Sequence, residues 1–502
     1  MRLKDYPTAL KYAHAACKLS ENSSAPAIEY CKILGNISLM YAEAANYINK
    51  QFYLDAKWYI DEAISVFEDK VGSLTDHGAV GLTLLNNKAF VYDAIGDRNG
   101  AIETYEKMVS DFENNQDVKG SWLLAANNLA VLYLKTDNSK KAIALLESLS
   151  SKNKEYKQVL AQNLALAYYV SGDSKTKRAL KDYNTICYNN CLDVFNFFTV
   201  AEREDYWTGI AREILILNNL VADKYPEITD VAYDNLLFVK NLKLMSSDIL
   251  KDIVENSSNS ELKRKYNRIS SLREAISYRS REQDSIRIWS NQLKEEERSI
   301  LSMVPDYKER LLNAFHSWTD IRDVLKDDEI AVDFSYVPKM KGWDDADGFY
   351  GAFIVTKDSK NPQLVSLCEV DSINQYFTGA VSDAVQISKL YQESQPIYKR
   401  LWGKLESYLK GKKTIYFSPT GQLNLLNHNA LLMSNGEAFG NCYNLVRLSS
   451  TDKILSLDSK DRKYQSAVVY GGILYDLSVA DMREAANQYD HHGEDQFLLA
   501  MR

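Results

Sequence analysis

Apolar side chains in the first 190 residues fall at intervals of three and four, the spacing that gathers them on one face of a helix. Within that pattern a pair recurs: Ala44 and Tyr47, Ala89 and Tyr92, Ala130 and Tyr133, Ala165 and Tyr168, at successive spacings of 45, 41 and 35 residues. Twelve residues after each of the first three alanines stands another, Ala56, Ala101 and Ala142. Turn-forming stretches at 96–100 and 136–138 separate the two, so each unit reads as helix, turn, helix. Alanine suits the place where two antiparallel helices cross closely, and the tyrosine one turn later fills the gap beside it. One helix pair cannot bury its apolar face alone, whereas stacked pairs share a core and form a groove suited to holding another protein. The fourth unit departs from the pattern, because Lys177 stands where its second alanine is due.

This pattern resembles the tetratricopeptide repeat, with Gly96 and Gly172 where that family turns and Tyr105 packing on the second helix. Segment 6–16, carrying Ala9, Ala13 and Ala16, reads as the second helix of a repeat whose first helix is absent. The expectation is an array over 1–190 with an incomplete first repeat, beginning upstream of Met1, the alternative being that segment 6–16 is a natural cap. Amides recur just before the close-contact alanine, at Asn86 and Asn87, Asn127 and Asn128, and Gln162 and Asn163. Such a ladder has two readings: it holds an extended peptide in the groove, since an amide both donates and accepts, or it bonds neighbouring repeats to each other. The expected partner is a protein or peptide held in the groove. No lysines recur in register with the amides, so capture of a C-terminal carboxylate is not expected.

From 191 to 318 the chain stays helical in pattern but loses the repeat. Leu262, Ile269, Leu272 and Ile276 keep helical spacing, and two long antiparallel helices are predicted, roughly 248–280 and 282–313. Past about residue 320 the period changes. Short β-branched and aromatic runs at 329–337, 349–355, 363–367, 413–418 and 466–472 predict strands, and helices are expected near 372–394 and 395–409. Alternating strands and helices indicate an α/β layer with a largely parallel sheet, over 319–502.

Composition agrees with a folded, helix-rich, multidomain chain: 502 residues, 45% hydrophobic, 25% charged and 8 prolines. A formal net charge of −8, with basic runs only at 263–268 and 410–413, argues against nucleic-acid or membrane partners. Six scattered cysteines imply a reducing compartment without a disulfide framework. No signal-like segment and no run of about 18 apolar residues occurs, so a cytoplasmic protein is expected. Cys187 and Cys191 share a helical face without a histidine, which favours small buried side chains over a metal site. The Asp344–Gly348 stretch lacks the alternating ligands of a calcium loop and reads as a hairpin tip, and the lone His428 reads as structural. Nucleophile-elbow, phosphate-loop and zinc-protease motifs are missing, so no cofactor or metal is expected.

A more specific resemblance lies in the ordered segments 401–406, 415–426, 445–451 and 468–472, supported by 201–207 and 232–240 upstream. Together with the repeats, they resemble the bacterial TPR-CHAT family, tetratricopeptide repeats followed by a caspase-like CHAT domain. Pro419-Thr-Gly421 and Asn427-His428 are mild departures from the family's usual Pro-Asp-Gly and later proline. The resemblance implies an all-α superhelix and helical connector followed by an incomplete α/β caspase-like domain, together with cysteine-peptidase chemistry from a thiolate and a histidine. It places both catalytic residues beyond Arg502, so the chain alone is expected to be inactive and no catalytic residue is assigned. His491-His492-Gly493 has no hydrophobic strand leading into it and reads as an exposed loop. The other functional class is a non-catalytic interaction scaffold with a CHAT pseudo-domain.

Overall fold

The computed structural model describes residues 5–21, 26–152, 156–278, 283–341, 344–377 and 384–457. Helix α1 (Tyr6–Glu21) precedes four helix pairs: α2 (Ala27–Tyr47) with α3 (Phe52–Lys70), α4 (Gly78–Ala94) with α5 (Arg98–Phe112), α6 (Lys119–Lys135) with α7 (Ser139–Lys152), and α8 (Lys157–Ser171) with α9 (Thr176–Phe197). Ala44, Ala89, Ala130 and Ala165 are wholly buried, as are Ala56, Ala101 and Ala142. The recurring alanines therefore lie inside the stack, where a larger side chain would force the helices apart. Gly96 and Gly172 both take positive φ, +89° and +70°, reversing the chain between paired helices at no steric cost. One continuous core runs from Cys31 to Ala167.

Where Lys177 replaces the fourth alanine, its ammonium reaches out to the Glu227 carbonyl at 2.6 Å and to Asp230 at 3.0 Å. The array is thereby tied to the turn after α10 (Val200–Lys224) and to the start of α11 (Thr229–Asn256). The middle region differs from the two-helix expectation. It is built from α11, α12 (Ser260–Tyr278), α13 (Gln283–Ser302) and α14 (Tyr307–Asn313), with α12 and α13 forming a packed pair. Ser257-Ser-Asn259 interrupts the first predicted helix, with the Asn259 side chain accepting from the Glu261 and Leu262 amides, and Pro305 interrupts the second. Among the described residues no helix is long and apolar enough to cross a membrane.

After α15 (Trp318–Val324) come strands β1 (Glu329–Lys341), β2 (Asp344–Val355), β3 (Gln363–Glu369), β4 (Thr414–Ser418) and β5 (Asn444–Arg447) in one sheet, ordered β3-β2-β1-β4-β5. The sheet is mixed, not largely parallel: β1 pairs with β2 and β2 with β3 antiparallel, while β1–β4 and β4–β5 are parallel. Connection length explains the difference, since the links after β1 and β2 are too short for the crossover that parallel neighbours need, whereas the long segment after β3 supplies one. That segment carries α16 (Asp371–Asn374), α17 (Ala384–Gln392) and α18 (Gln395–Leu401), shorter pieces than the two helices expected. The Asp344–Gly348 stretch opens β2. The predicted strand 466–472 and the 491–493 motif lie outside the described residues.

The period of two along β1 sorts the sheet into two faces. Ile330, Val332 and Phe334 join Trp402, Leu405 and Phe439 on one side. Ala331 faces the other way, and there it meets Tyr233, Leu236 and Leu237 of α11 with Trp318 and Ile321 of α15. The connector helices thus cover one face of the sheet.

Candidate partner face and the joint between helices and sheet

First helices of successive repeats lie side by side, and their amides mostly bond within the array. Asn87 is buried, its amide 3.5 Å from the Gly35 carbonyl of the preceding first helix. Asn163 donates to Asn127 Oδ1 at 2.8 Å across the α8–α6 contact. Tyr105 brings two others together, donating to Asn86 Oδ1 at 3.3 Å and accepting from Asn128 Nδ2 at 3.4 Å. Gln162 is half-buried. Beside these amides the first helices also present apolar groups to solvent: Phe90 on α4, Leu124 on α6 and Val159 on α8 are exposed.

The tyrosines of the repeat perform a task that the sequence pattern did not disclose. Tyr92 donates to Asp61 at 2.9 Å, Tyr133 to Glu106 at 2.5 Å and Tyr168 to Glu147 at 2.5 Å, each acid lying on the second helix of the preceding repeat. Each acid stands five residues after that helix's alanine, in register with Ala56, Ala101 and Ala142. A lysine completes each clasp: Lys57 on Asp61, Lys141 on Glu106 and Lys175 on Glu147. Burial, and then the hydrogen-bonded carboxylate, push the Tyr133 and Tyr168 hydroxyls above their ordinary pKa. Tyr47 differs, being exposed and stacked on Tyr6 at 5.9 Å.

A second locus joins the connector to the sheet. Asp333, in the middle of β1 and fully buried, accepts from Lys240 Nζ at 3.0 Å, from the Tyr233 hydroxyl at 2.7 Å and from Thr451. Lys240 also donates to Ser418, at 2.7 Å to its hydroxyl and 3.1 Å to its carbonyl, at the end of β4. One residue on, Asn241 donates to Ser450 at 3.0 Å. On the neighbouring helix, Asn219 donates to the Ser335 hydroxyl at 2.8 Å and the Tyr336 carbonyl at 2.6 Å. Lys240 thus lies at the carboxyl end of β4, beside the middle of β1, where Asp333 and Ser418 are paired across the two parallel strands. Burial holds its ammonium below the ordinary lysine pKa and pushes the nearby Asp452 carboxyl up. Residues 233 and 240 share one helical face, and an aspartate between Val332 and Phe334 was the sequence signal for their partner.

Among the described residues no hydrogen bond joins a cysteine to a histidine, although His14 and Cys17 stand one turn apart on α1. His428 is buried, accepting from Trp402 Nε1 at 3.1 Å and lying 3.2 Å from the Leu423 carbonyl, and burial lowers its pKa to about 4. Cys442 is exposed and donates to Glu437 at 3.4 Å, while burial raises the thiol pKa of Cys368. Cys187 and Cys191 are buried beside Tyr183 and Tyr206, and burial pushes both thiols up to about 12. Among the described residues no group of three or more His, Cys, Asp and Glu side chains could hold a metal ion.

No family model matches this sequence, and no curated protein matches it. Among solved structures, a Podosopora anserina protein described as a kinesin light chain with nearly identical TPR-like repeats is similar over 37% of this chain and 88% of its own. The two are 14% identical, with a TM-score of 0.32.

Proposed function

We propose that this protein is a helical-repeat scaffold that holds a protein partner along its first helices and passes that binding, through α10 and α11, to a caspase-like CHAT layer. The observation that carries the reading is the repeated geometry: the same alanine contact and the same tyrosine–acid hydrogen bond recur between successive pairs. An array so stacked is stiff and presents Phe90, Leu124 and Val159 on its first helices. Exposed apolar groups flanked by amides suit an amphipathic or extended protein segment.

Two observations support the caspase-like reading of the sheet. The resembling segments 415–426 and 445–451 supply β4 and β5, which pair in parallel. In the turn after β4, Gly421 takes φ +51°, and a Cβ there would lie 1.8 Å from the Tyr336 hydroxyl. A backbone this constrained fits a turn that must hold its shape. The described cysteines have raised pKa values and no histidine hydrogen-bonded to them, which favours a scaffold role for this part of the chain over peptide hydrolysis.

The test is site-specific photocrosslinking. A benzophenone amino acid at Leu124 of the full chain should capture one defined protein in cells of its source, and Phe90→Ser with Val159→Ser should abolish capture while leaving helicity unchanged. Equal capture from a probe at Lys140, on the outer helix α7, would refute the assignment of the face.

A further inference from the structure

Between the end of the repeats and the connector lies a cavity of about 40 Å³. It is lined by Phe198, Arg203, Tyr266, Arg273 and Glu297, with aliphatic side chains of α11, α12 and α13 between them. Arg203 is the unusual member. Only 5% exposed, it donates from Nε to the Phe198 carbonyl at 2.9 Å and from Nη1 to the Tyr307 hydroxyl at 3.3 Å. Its guanidinium also lies over the Phe195 ring at 5.5 Å. Among the described residues no carboxylate pairs with it.

The cavity's one carboxylate is otherwise engaged. Glu297, 6% exposed, accepts from Arg273 at 2.8 Å on Oε1 and from the Val200 amide at 2.9 Å on Oε2. Arg203 is thus a buried cation without a carboxylate of its own, and Arg273, its side chain half-exposed at the rim, brings a second positive charge against the single carboxylate. A buried cation without a counter-charge is costly unless something anionic shares the site. The space holds roughly three waters, since one needs about 10–15 Å³ of such volume, and that is the room taken by one small oxyanion.

We propose that this cavity binds a single small oxyanion, either a carboxylate or an inorganic anion no larger than phosphate, between Arg203 and Arg273. The inference goes beyond the partner-binding reading and does not depend on it. Its consequence is local: an anion there bridges the first turn of α10, which carries Arg203, to α12, which carries Arg273. Occupancy would stiffen the junction between the repeats and the sheet-covering helices.

Isothermal titration calorimetry and thermal unfolding of the full chain, at matched pH and ionic strength, test this with sodium phosphate, sulfate and acetate against gluconate. The expected result is saturable binding, one per chain, with a raised unfolding midpoint for phosphate, sulfate or acetate and none for the bulkier gluconate. A response to acetate alone assigns a carboxylate ligand, and one to phosphate or sulfate alone assigns a free inorganic anion. Arg273→Gln, which keeps a hydrogen-bond donor for Glu297 while removing the charge, should weaken binding about tenfold, and Arg203→Met should abolish it. No saturable response to any of the three small anions, or unchanged binding in Arg273→Gln, overturns the proposal. The second outcome decides even if Arg203→Met does not fold.

Discussion

Replacing Asp333 with asparagine is the most informative perturbation of the joint between connector and sheet. The side chain is fully buried and Lys240 is only 11% exposed, so solvent screens their 3.0 Å contact little. Asparagine keeps the shape but removes the charge, and its amide nitrogen presents a donor to a pocket where Lys240, Tyr233 and Thr451 all donate. Breaking a buried pair from one side typically costs about 3 to 5 kcal/mol, because the other charge stays buried and unpaired. A loss of about 3 kcal/mol multiplies the opening equilibrium of the affected region roughly a hundredfold. Hydrogen exchange of the full chain reads this directly. Amides of α11 and of β1 should lose protection together, while α2 to α7 stay unchanged. Lys240→Met should interact with Asp333→Asn, the double variant costing less than the two singles summed, by about 1 to 3 kcal/mol. Independent single effects, or loss of protection in α11 without β1, would refute the claim that this pair fastens helix to sheet.

Further predictions concern pH and the repeat clasps. His428 stays neutral in the fold, with a pKa near 4 against an ordinary 6.5, so the unfolded chain binds its proton first as pH falls. The stability this gives is full above pH 6.5 and is lost progressively toward pH 4, by about 3 kcal/mol, and urea titrations of His428→Gln should lack that slope. Asp234 behaves oppositely: burial, partly offset by the Trp318 amide at 2.7 Å, raises its pKa to about 7. The fold then favours its protonated form, stability falls as pH rises from about 4 to 7, and Asp234→Asn should be more stable than the parent at pH 8 in the same assay. In the repeats, Tyr133→Phe leaves Glu106 without its buried donor and should cost about 1 kcal/mol by chemical denaturation. Ala130→Leu, at a wholly buried crossing, should cost more, about 1 to 3 kcal/mol or beyond.

The helix pairs were legible in the sequence because their determinants are local and periodic. Ala89, Ala101 and Tyr92 mark one pair without reference to anything distant. The acids that complete the clasps follow the same period, five residues after each second-helix alanine, and a register comparison of Asp61, Glu106 and Glu147 would have found them. Strand direction was not legible, because residue pattern is alike in parallel and antiparallel strands. The brief links after β1 and β2 held the information instead. Least visible was the joint, since Lys240 and Asp333 are 93 residues apart and each alone is an ordinary charged side chain. Asp333 between Val332 and Phe334 was the only hint that a buried partner existed.

Hydrogen exchange across the sheet, with and without the protein captured at Leu124, tests most directly whether partner binding reaches the sheet. Saturating the first helices should change protection in α10, in α11 and in β1 and β4 around Asp333 and Ser418. Protection that changes only in α4, α6 and α8, leaving the sheet as it was, would contradict the account.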